Sequence, residues 1–154
     1  MLILGGRGAF PGSDPATDGF FSDVIYDLDL DTFQLSKLGF LPSVLCSHCS
    51  AVIEDKYLIL YGGTNGLRFF DSIVRYEFES KKWMIMTKNH PKSESSSFFK
   101  FGRIASSSCL VEDMLVLFGG CSSEGFFGDF LVIPTEHLKN DSNFSEIQEI
   151  MWKI

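Results

Sequence analysis

Three times the chain writes an apolar, strand-like run that stops at two glycines: "MLILGG" from Met1, "YLILYGG" from Tyr57 and "MLVLFGG" from Met114. The pairs Gly5-Gly6, Gly62-Gly63 and Gly119-Gly120 stand 57 positions apart. Self-similarity at a fixed period marks an array of supersecondary units that bury their faces against one another. This constrains the fold more tightly than any property of composition.

Both halves of the unit repeat. "DVIYDLDLDTFQL" from Asp23 lies without a gap over "DSIVRYEFESKKW" from Asp71, placing Ile25 over Ile73, Leu28 over Tyr76 and Leu35 over Trp83. "SAVIEDKYLILYGG" from Ser50 lies over "SSCLVEDMLVLFGG" from Ser107. Two insertions of 9 residues, one between Gly5 and Asp23 and one between Trp83 and Arg103, compensate each other in the spacing, and without them the unit is about 48 residues. β-branched and aromatic residues in short runs between turn residues predict four strands per unit. In the second unit these are "SAVIE", "YLILYGG", "SIVRYEF" and "KWMIMTK", with tight turns at Asp55-Lys56 and Glu79-Ser80-Lys81 and a longer loop from Thr64 to Phe70. No stretch has a sustained helical period, so no helix is expected.

An apolar strand ending in Gly-Gly, an aspartate after it, and then Tyr76 and Trp83 seven apart resemble the kelch repeat. The resemblance implies an all-β fold: a β-propeller built of four-stranded antiparallel kelch blades, about three in this chain, forming a partial propeller. The expected units are an incomplete blade over 1–44, a full blade over 45–92 and a divergent blade over 103–154, with an inserted loop over 89–102. The first unit has Leu28 and Leu35 where the second has its aromatic pair. The third sets Pro134 at the position of Tyr76, so that strand should end or bulge early, and "EIQEIMWKI" from Glu146 is the candidate for its last strand, with Trp152 as the substitute tryptophan. Tyr76 and Trp83 are expected to supply large packing surfaces between blades. The glycine pairs let the chain leave a buried strand through positive φ and admit a close neighbour. Three units are fewer than the roughly 4 to 8 blades of a closed propeller. Two explanations stand: a portion of a longer propeller, or a short chain that self-associates through open blade edges.

Thirteen Lys and Arg against twenty Asp and Glu leave a net charge of -7, which argues against nucleic-acid binding. No apolar run reaches membrane-spanning length and the first residues lack a secretory pattern, so a cytoplasmic location is expected. "CSHC" sets Cys46, His48 and Cys49 close together, but no second pair at matching spacing completes four zinc ligands. It reads as the start of an inner strand carrying reduced thiols, so no metal and no cofactor is expected. Cys109 aligns with Val52 as a small core residue, and Cys121, just after a glycine pair, is expected to be exposed. "GGRGAFPG" lacks the spacing and the lysine of a phosphate loop. His48, His90 and His137 fall in unrelated segments, so no serine, histidine and acid triad assembles. "NFS" at Asn143 is a glycosylation sequon, relevant only to a secreted chain. Ser93, Ser95, Ser96 and Ser97 in the long insert are candidate phosphate acceptors, and Phe98, Phe99 and Phe101 end it.

The resemblance implies a non-catalytic module that presents propeller loops to a peptide or protein partner, as a substrate-recruiting or scaffold domain. The alternative is part of a kelch-type enzyme, an oxidase or a sugar epimerase, whose active site is completed elsewhere. Partner contacts in the family concentrate after the glycine pair and at the start of the inner strand, which directs attention to Arg7, His48, Asn65, Arg68, Arg103 and Glu124. Arg7 and Arg68 are candidates for bidentate contacts with an acidic peptide.

Overall fold

The computed structural model of the protein describes residues 1–9, 11–14, 18–86 and 102–140, together with the backbone of 148–150. Ser93, Ser95, Ser96, Ser97, Phe98, Phe99, Phe101, Asn143 and Trp152 lie outside the described residues. The elements in order are β1 (Leu2–Leu4), β2 (Arg7–Gly8), β3 (Phe20–Phe21), β4 (Val24–Leu28), β5 (Leu35–Phe40), β6 (Cys46–Ile53), β7 (Tyr57–Thr64), β8 (Ile73–Glu77), β9 (Lys82–Ile85), β10 (Ser107–Val111), β11 (Met114–Phe118), β12 (Cys121–Ser122), β13 (Gly125–Phe126), β14 (Phe130–Pro134), α1 (Thr135–Lys139) and β15 (Gln148–Ile150). The chain is all-β, a partial propeller of three antiparallel sheets in the orders β1-β4-β5, β6-β7-β8-β9 and β10-β11-β14-β15. Two short ribbons, β2-β3 and β12-β13, stand beside them. No helix among the described residues is long and apolar enough to cross a membrane.

Contacts divide the chain into two compact units, one of Met1–Cys46 with Thr64–Leu67 and the other of Ser47–Gly63 with Arg68–Ile154. In the first, Ile25 is the centre of the three-stranded blade and is 1 % exposed, with Leu41 and Leu45 buried beside the glycine pair. The β4–β5 turn is held by Asp29, whose Oδ1 accepts from the backbone N–H groups of Asp31 and Thr32 at 2.9 Å. Leu38 is an extra residue in β5, where the register shifts between Ile25 and Tyr26.

In the second unit, one face of blade two packs on one face of blade three. Ile59, Tyr61 and Ile73 meet Leu115, Leu117, Leu131 and Ile133 in a single core to which Cys49, Ile53, Tyr57, Met86 and Leu138 belong. The strand period of two explains the selection, since alternate residues of each strand share a face. Tyr76 and Trp83 are direct cross-strand partners, as the spacing requires, with ring centroids 4.8 Å apart. Leu28 pairs with Leu35 in the same place of the first blade.

Four expectations change. Leu115 pairs with Ile133 as Leu58 pairs with Tyr76, so Ile133 occupies the tyrosine position and Pro134 the place of Glu77. The loops after the second and third glycine pairs are equally long, and Asp129 stands at the place of Ser72, so an alignment taken from the aspartates is one position off. Pro134 still ends its strand, and the next element is a helix: α1 is a single short turn between β14 and β15 that no periodicity in five residues could announce. Arg75, 6 % exposed, reaches its C-terminal end, donating from Nη1 to Leu138 O at 3.1 Å and Lys139 O at 2.7 Å. Those carbonyls have no partner within the helix, so a buried cation there satisfies both sides. The inner strand of blade two begins at Cys46 and includes all of "CSHC", and β7 as a strand runs through Gly62 and Gly63 to Thr64. Finally, Cys109 is exposed. It pairs with Val116 on the face of blade three that points away from blade two, so position in the strand made it small and apolar without making it core.

Candidate functional site

All six residues of the three glycine pairs have positive φ, from 56° at Gly5 to 106° at Gly6. The first glycine of a pair continues the ladder, because Gly5 N donates to Val24 O, Gly62 N to Ser72 O and Gly119 N to Asp129 O. The second turns outward to the segment that begins the next blade. Gly6 N donates to Leu45 O at 2.7 Å, and Gly63 N donates to Arg103 O at 2.6 Å. A Cβ on Gly62 would stand 2.5 Å from Arg103 O, and one on Gly5 would overlap Leu45 O. The pair is thus a docking point for the following blade's first strand, and the loop after it is launched from a fixed base.

In the first unit two loops meet, the β2-β3 ribbon after Gly5-Gly6 and the segment Thr64–Leu67 after Gly62-Gly63. Arg7, on β2, lies over the ring of Phe21 on β3, with its Cζ 5.7 Å from the centroid. Gly66 sits against the same ring, since a Cβ there would be 2.6 Å from Phe21 Cε2. The loop bearing Gly66 is pinned by side-chain turns: Thr64 Oγ1 accepts from Gly66 N and Asn65 Oδ1 accepts from Leu67 N, both at 3.0 Å. Such turns hold a loop without a β-ladder. Arg7 and Asn65 are therefore brought together around Phe21, and Leu67 at the loop's tip is 93 % exposed.

In the second unit Arg68 is exposed and lies over Phe70 at 4.7 Å. Phe70 in turn donates to Gly63 O and accepts from Arg103 N. The third loop folds as the β12-β13 ribbon, with Glu124 exposed at its turn, Glu124 N donating to Ser122 Oγ at 3.0 Å, and Phe126 93 % exposed. Cys121 is partly buried in that ribbon, bridged to Ile104.

Arg103 is the correction among the six candidates. It is fully buried, with its guanidinium forked on Asp129 at 2.5 and 2.7 Å, a further donation to Gly119 O at 3.1 Å, and its Cζ 3.8 Å from the centroid of Phe127. It ties the lead-in of blade three to that blade's own loop and offers nothing to a surface partner. A cation aligned with a strand start reads from sequence as a surface charge, and only the tertiary pairing with Asp129 reverses the reading. Asp129 is legible in the sequence solely as the third aspartate after a glycine pair.

His48 lies half-buried in β6, between Ser47, whose φ is +54°, and the buried Cys49. Its Nδ1 is buried and makes no hydrogen bond among the described residues, and burial holds the imidazole below its ordinary pKa of 6.5. Because the unfolded chain then binds the proton first, stability should fall as pH drops below about 6.5. Urea unfolding between about pH 7 and about pH 5 should show this decline, and His48→Gln should flatten it. An unchanged slope in the variant would remove His48 from the account. Burial pushes the Cys49 thiol up to about 11, so it is an apolar residue at neutral pH and no nucleophile. All four cysteines are free, and among the described residues no group of three or more His, Cys, Asp or Glu side chains could hold a metal ion.

Blades of antiparallel strands, the first two each with a glycine pair that receives the lead-in of the next blade, define a partial β-propeller. The family model for the Kelch motif matches residues 45–89, which span the lead-in to β6 through the end of β9 and past it. The match covers the blade that carries Tyr76 and Trp83, and it supports a kelch-repeat assignment. No curated protein matches the chain.

Proposed function

We propose that this chain is a non-catalytic binding module that presents the loops after its glycine pairs to a protein or peptide partner. Kelch repeats commonly serve protein interaction, and that coarser role frames the reading. The observation that carries it is the pair of large apolar side chains Leu67, at a loop tip, and Phe126, on the β12-β13 ribbon, each 93 % exposed on a segment stiffened by a side-chain-to-backbone hydrogen bond. An exposed apolar tip on a rigid base loses little conformational freedom when it is covered, which is how binding hot spots obtain affinity. In the first unit Leu67 stands with Arg7 and Asn65, and in the second Phe126 stands on the ribbon with Glu124. Arg7 and Arg68, each laid over a phenylalanine ring, hold planar guanidinium groups suited to carboxylates of an acidic segment.

Selection of displayed peptides on the purified chain tests the proposal. Peptides recovered should carry an apolar anchor beside Asp or Glu, and Leu67→Ala, Phe126→Ala and Arg68→Ala should each weaken their binding by about tenfold or more. Binding that none of these variants changes would place the partner surface elsewhere.

A further inference from the structure

Gly102, Arg103 and Ile104, which lead into blade three, are bounded on one side by the loop after Gly62-Gly63 and on the other by the β12-β13 ribbon after Gly119-Gly120, all within the second compact unit. On the first side Gly63 N donates to Arg103 O at 2.6 Å and Arg103 N donates to Phe70 O at 3.0 Å. Gly102 lies so close to Phe69 that an added Cβ would overlap Phe69 O. On the other side Ile104 N donates to Cys121 O and Cys121 N to Ile104 O, both at 2.9 Å, while the Arg103 guanidinium forks on Asp129 and lies over the ring of Phe127. The backbone of Arg103 thus fixes the second loop and its side chain fixes the third.

The repeat shows that the fold does not require this fork. Leu45 stands where Arg103 does, since Gly6 N donates to Leu45 O as Gly63 N does to Arg103 O, and Leu45 N donates to Ser22 O as Arg103 N does to Phe70 O. Ser72 stands where Asp129 does, because Gly62 N donates to Ser72 O as Gly119 N does to Asp129 O. A leucine and a serine therefore fill the places that hold a buried ion pair one blade later. Such a pair carries a desolvation cost that apolar packing avoids, and its best-attested use is to select one arrangement over others. The two loops it joins carry exposed groups of opposite sign, Arg68 beside Phe69 on the second and Glu124 on the third.

We propose that Arg103 is the positioning residue of the partner surface: it sets the second and third loops in one arrangement, so that a single extended segment is read by Arg68 and Glu124 together. The segment carries a carboxylate for Arg68, an apolar residue for Phe69 and a cation for Glu124. This rests on the chain being a loop-presenting binding module and adds to that reading the cation and the joining of the loops. Two contacts held on one rigid surface reinforce each other, because the second forms without a further loss of freedom once the first is made. Opposite charges at the two ends also fix the direction in which the segment lies.

Selection from a displayed random peptide library on the purified chain tests this. Recovered segments should carry an acidic and a basic residue on either side of an apolar one, and selection on Glu124→Lys should return acidic residues in both places. Arg103→Leu combined with Asp129→Leu, which leaves no orphaned charge, should bind the wild-type segments about tenfold or more weaker. In that background Glu124→Ala should cause no further loss while Arg68→Ala still does, and a segment shortened to its acidic half should bind the wild type and the double variant equally. General damage to the fold would weaken the shortened segment too. Circular dichroism verifies the fold, and Arg103→Lys, which keeps the charge without the fork, serves if the double variant does not fold. Segments whose binding Arg68→Ala leaves unchanged overturn the loop reading and this proposal together. Segments that need Arg68 but are indifferent to Glu124→Lys or to the double variant overturn this proposal alone.

Discussion

Arg103→Ala should be the most destabilising substitution in the described chain, lowering the unfolding free energy by about 3 to 5 kcal/mol and the melting temperature by roughly 10 °C or more. The size reflects the groups left behind. Asp129, itself buried, would lose both donors of the fork, and its carboxylate would be left without a counter-charge in a poorly solvated place. Phe127 would lose the cation over its ring, and Gly119 O one of its donors. Arg103→Lys should recover only part of the loss, since an ammonium group cannot make two parallel donations to a carboxylate. Removing both partners with Arg103→Leu and Asp129→Leu should cost much less than the arginine change alone, because no orphaned charge is left. Chemical unfolding of Arg103→Leu, Asp129→Leu and the double variant gives the coupling directly. A cost below about 1 kcal/mol for Arg103→Ala would show the pair to be solvated, contrary to its burial.

Gly62→Ala should be almost as costly, at about 3 kcal/mol, by a different route. An alanine there must hold φ near +69°, and its Cβ would stand 2.5 Å from Arg103 O, so the lead-in of blade three has to withdraw and its hydrogen bond from Gly63 N lengthens. Gly6→Ala is the control. That glycine also has positive φ but no atom within 4 Å of an added Cβ, so only the backbone cost of about 1 to 2 kcal/mol applies. Thermal unfolding should rank Gly62→Ala well below Gly6→Ala. Equal melting temperatures would mean that the glycine pair serves the turn alone and not the close approach of the next blade.

Much of the fold is legible in the sequence because it is periodic. The three glycine pairs, the gapless match of Asp23 onward with Asp71 onward, and the Tyr76 and Trp83 spacing together locate the strands of three blades, and the cross-strand pairs Tyr76 with Trp83 and Leu28 with Leu35 derive from turn length alone. The last strand is legible as well, since Gln148–Ile150 falls within the segment "EIQEIMWKI". The differences between sequence and structure share one cause. Alignment on the aspartates sets Pro134 one position off, because Asp129 stands at the place of Ser72 and only the ladder shows which residues face each other. Strand position makes Cys109 look like core, whereas burial depends on whether another blade covers that face. Arg103 looks like a surface cation, because its partner is 26 residues away and chain distance carries no sign of it.

The candidate site divides in the same way. Arg7, Asn65, Arg68 and Glu124 are identifiable by their place after the glycine pairs, and the structure does put each on a loop launched from that base. What sequence could not supply is the grouping: that Arg7 and the Asn65 loop share the ring of Phe21, and that Leu67 and Phe126, apolar residues one would assign to packing, are each 93 % exposed.

The sequence by itself determined the repeat, the strand alternation and the positions that only glycine can occupy, because each of these is a local requirement of backbone geometry or side-chain period. The tertiary structure alone decided that Arg103 is a buried partner of Asp129 and that Arg75 closes the end of a helix from the following blade. Those outcomes depend on which groups meet across blades, where desolvation and pairing are settled by contacts between residues far apart in the chain.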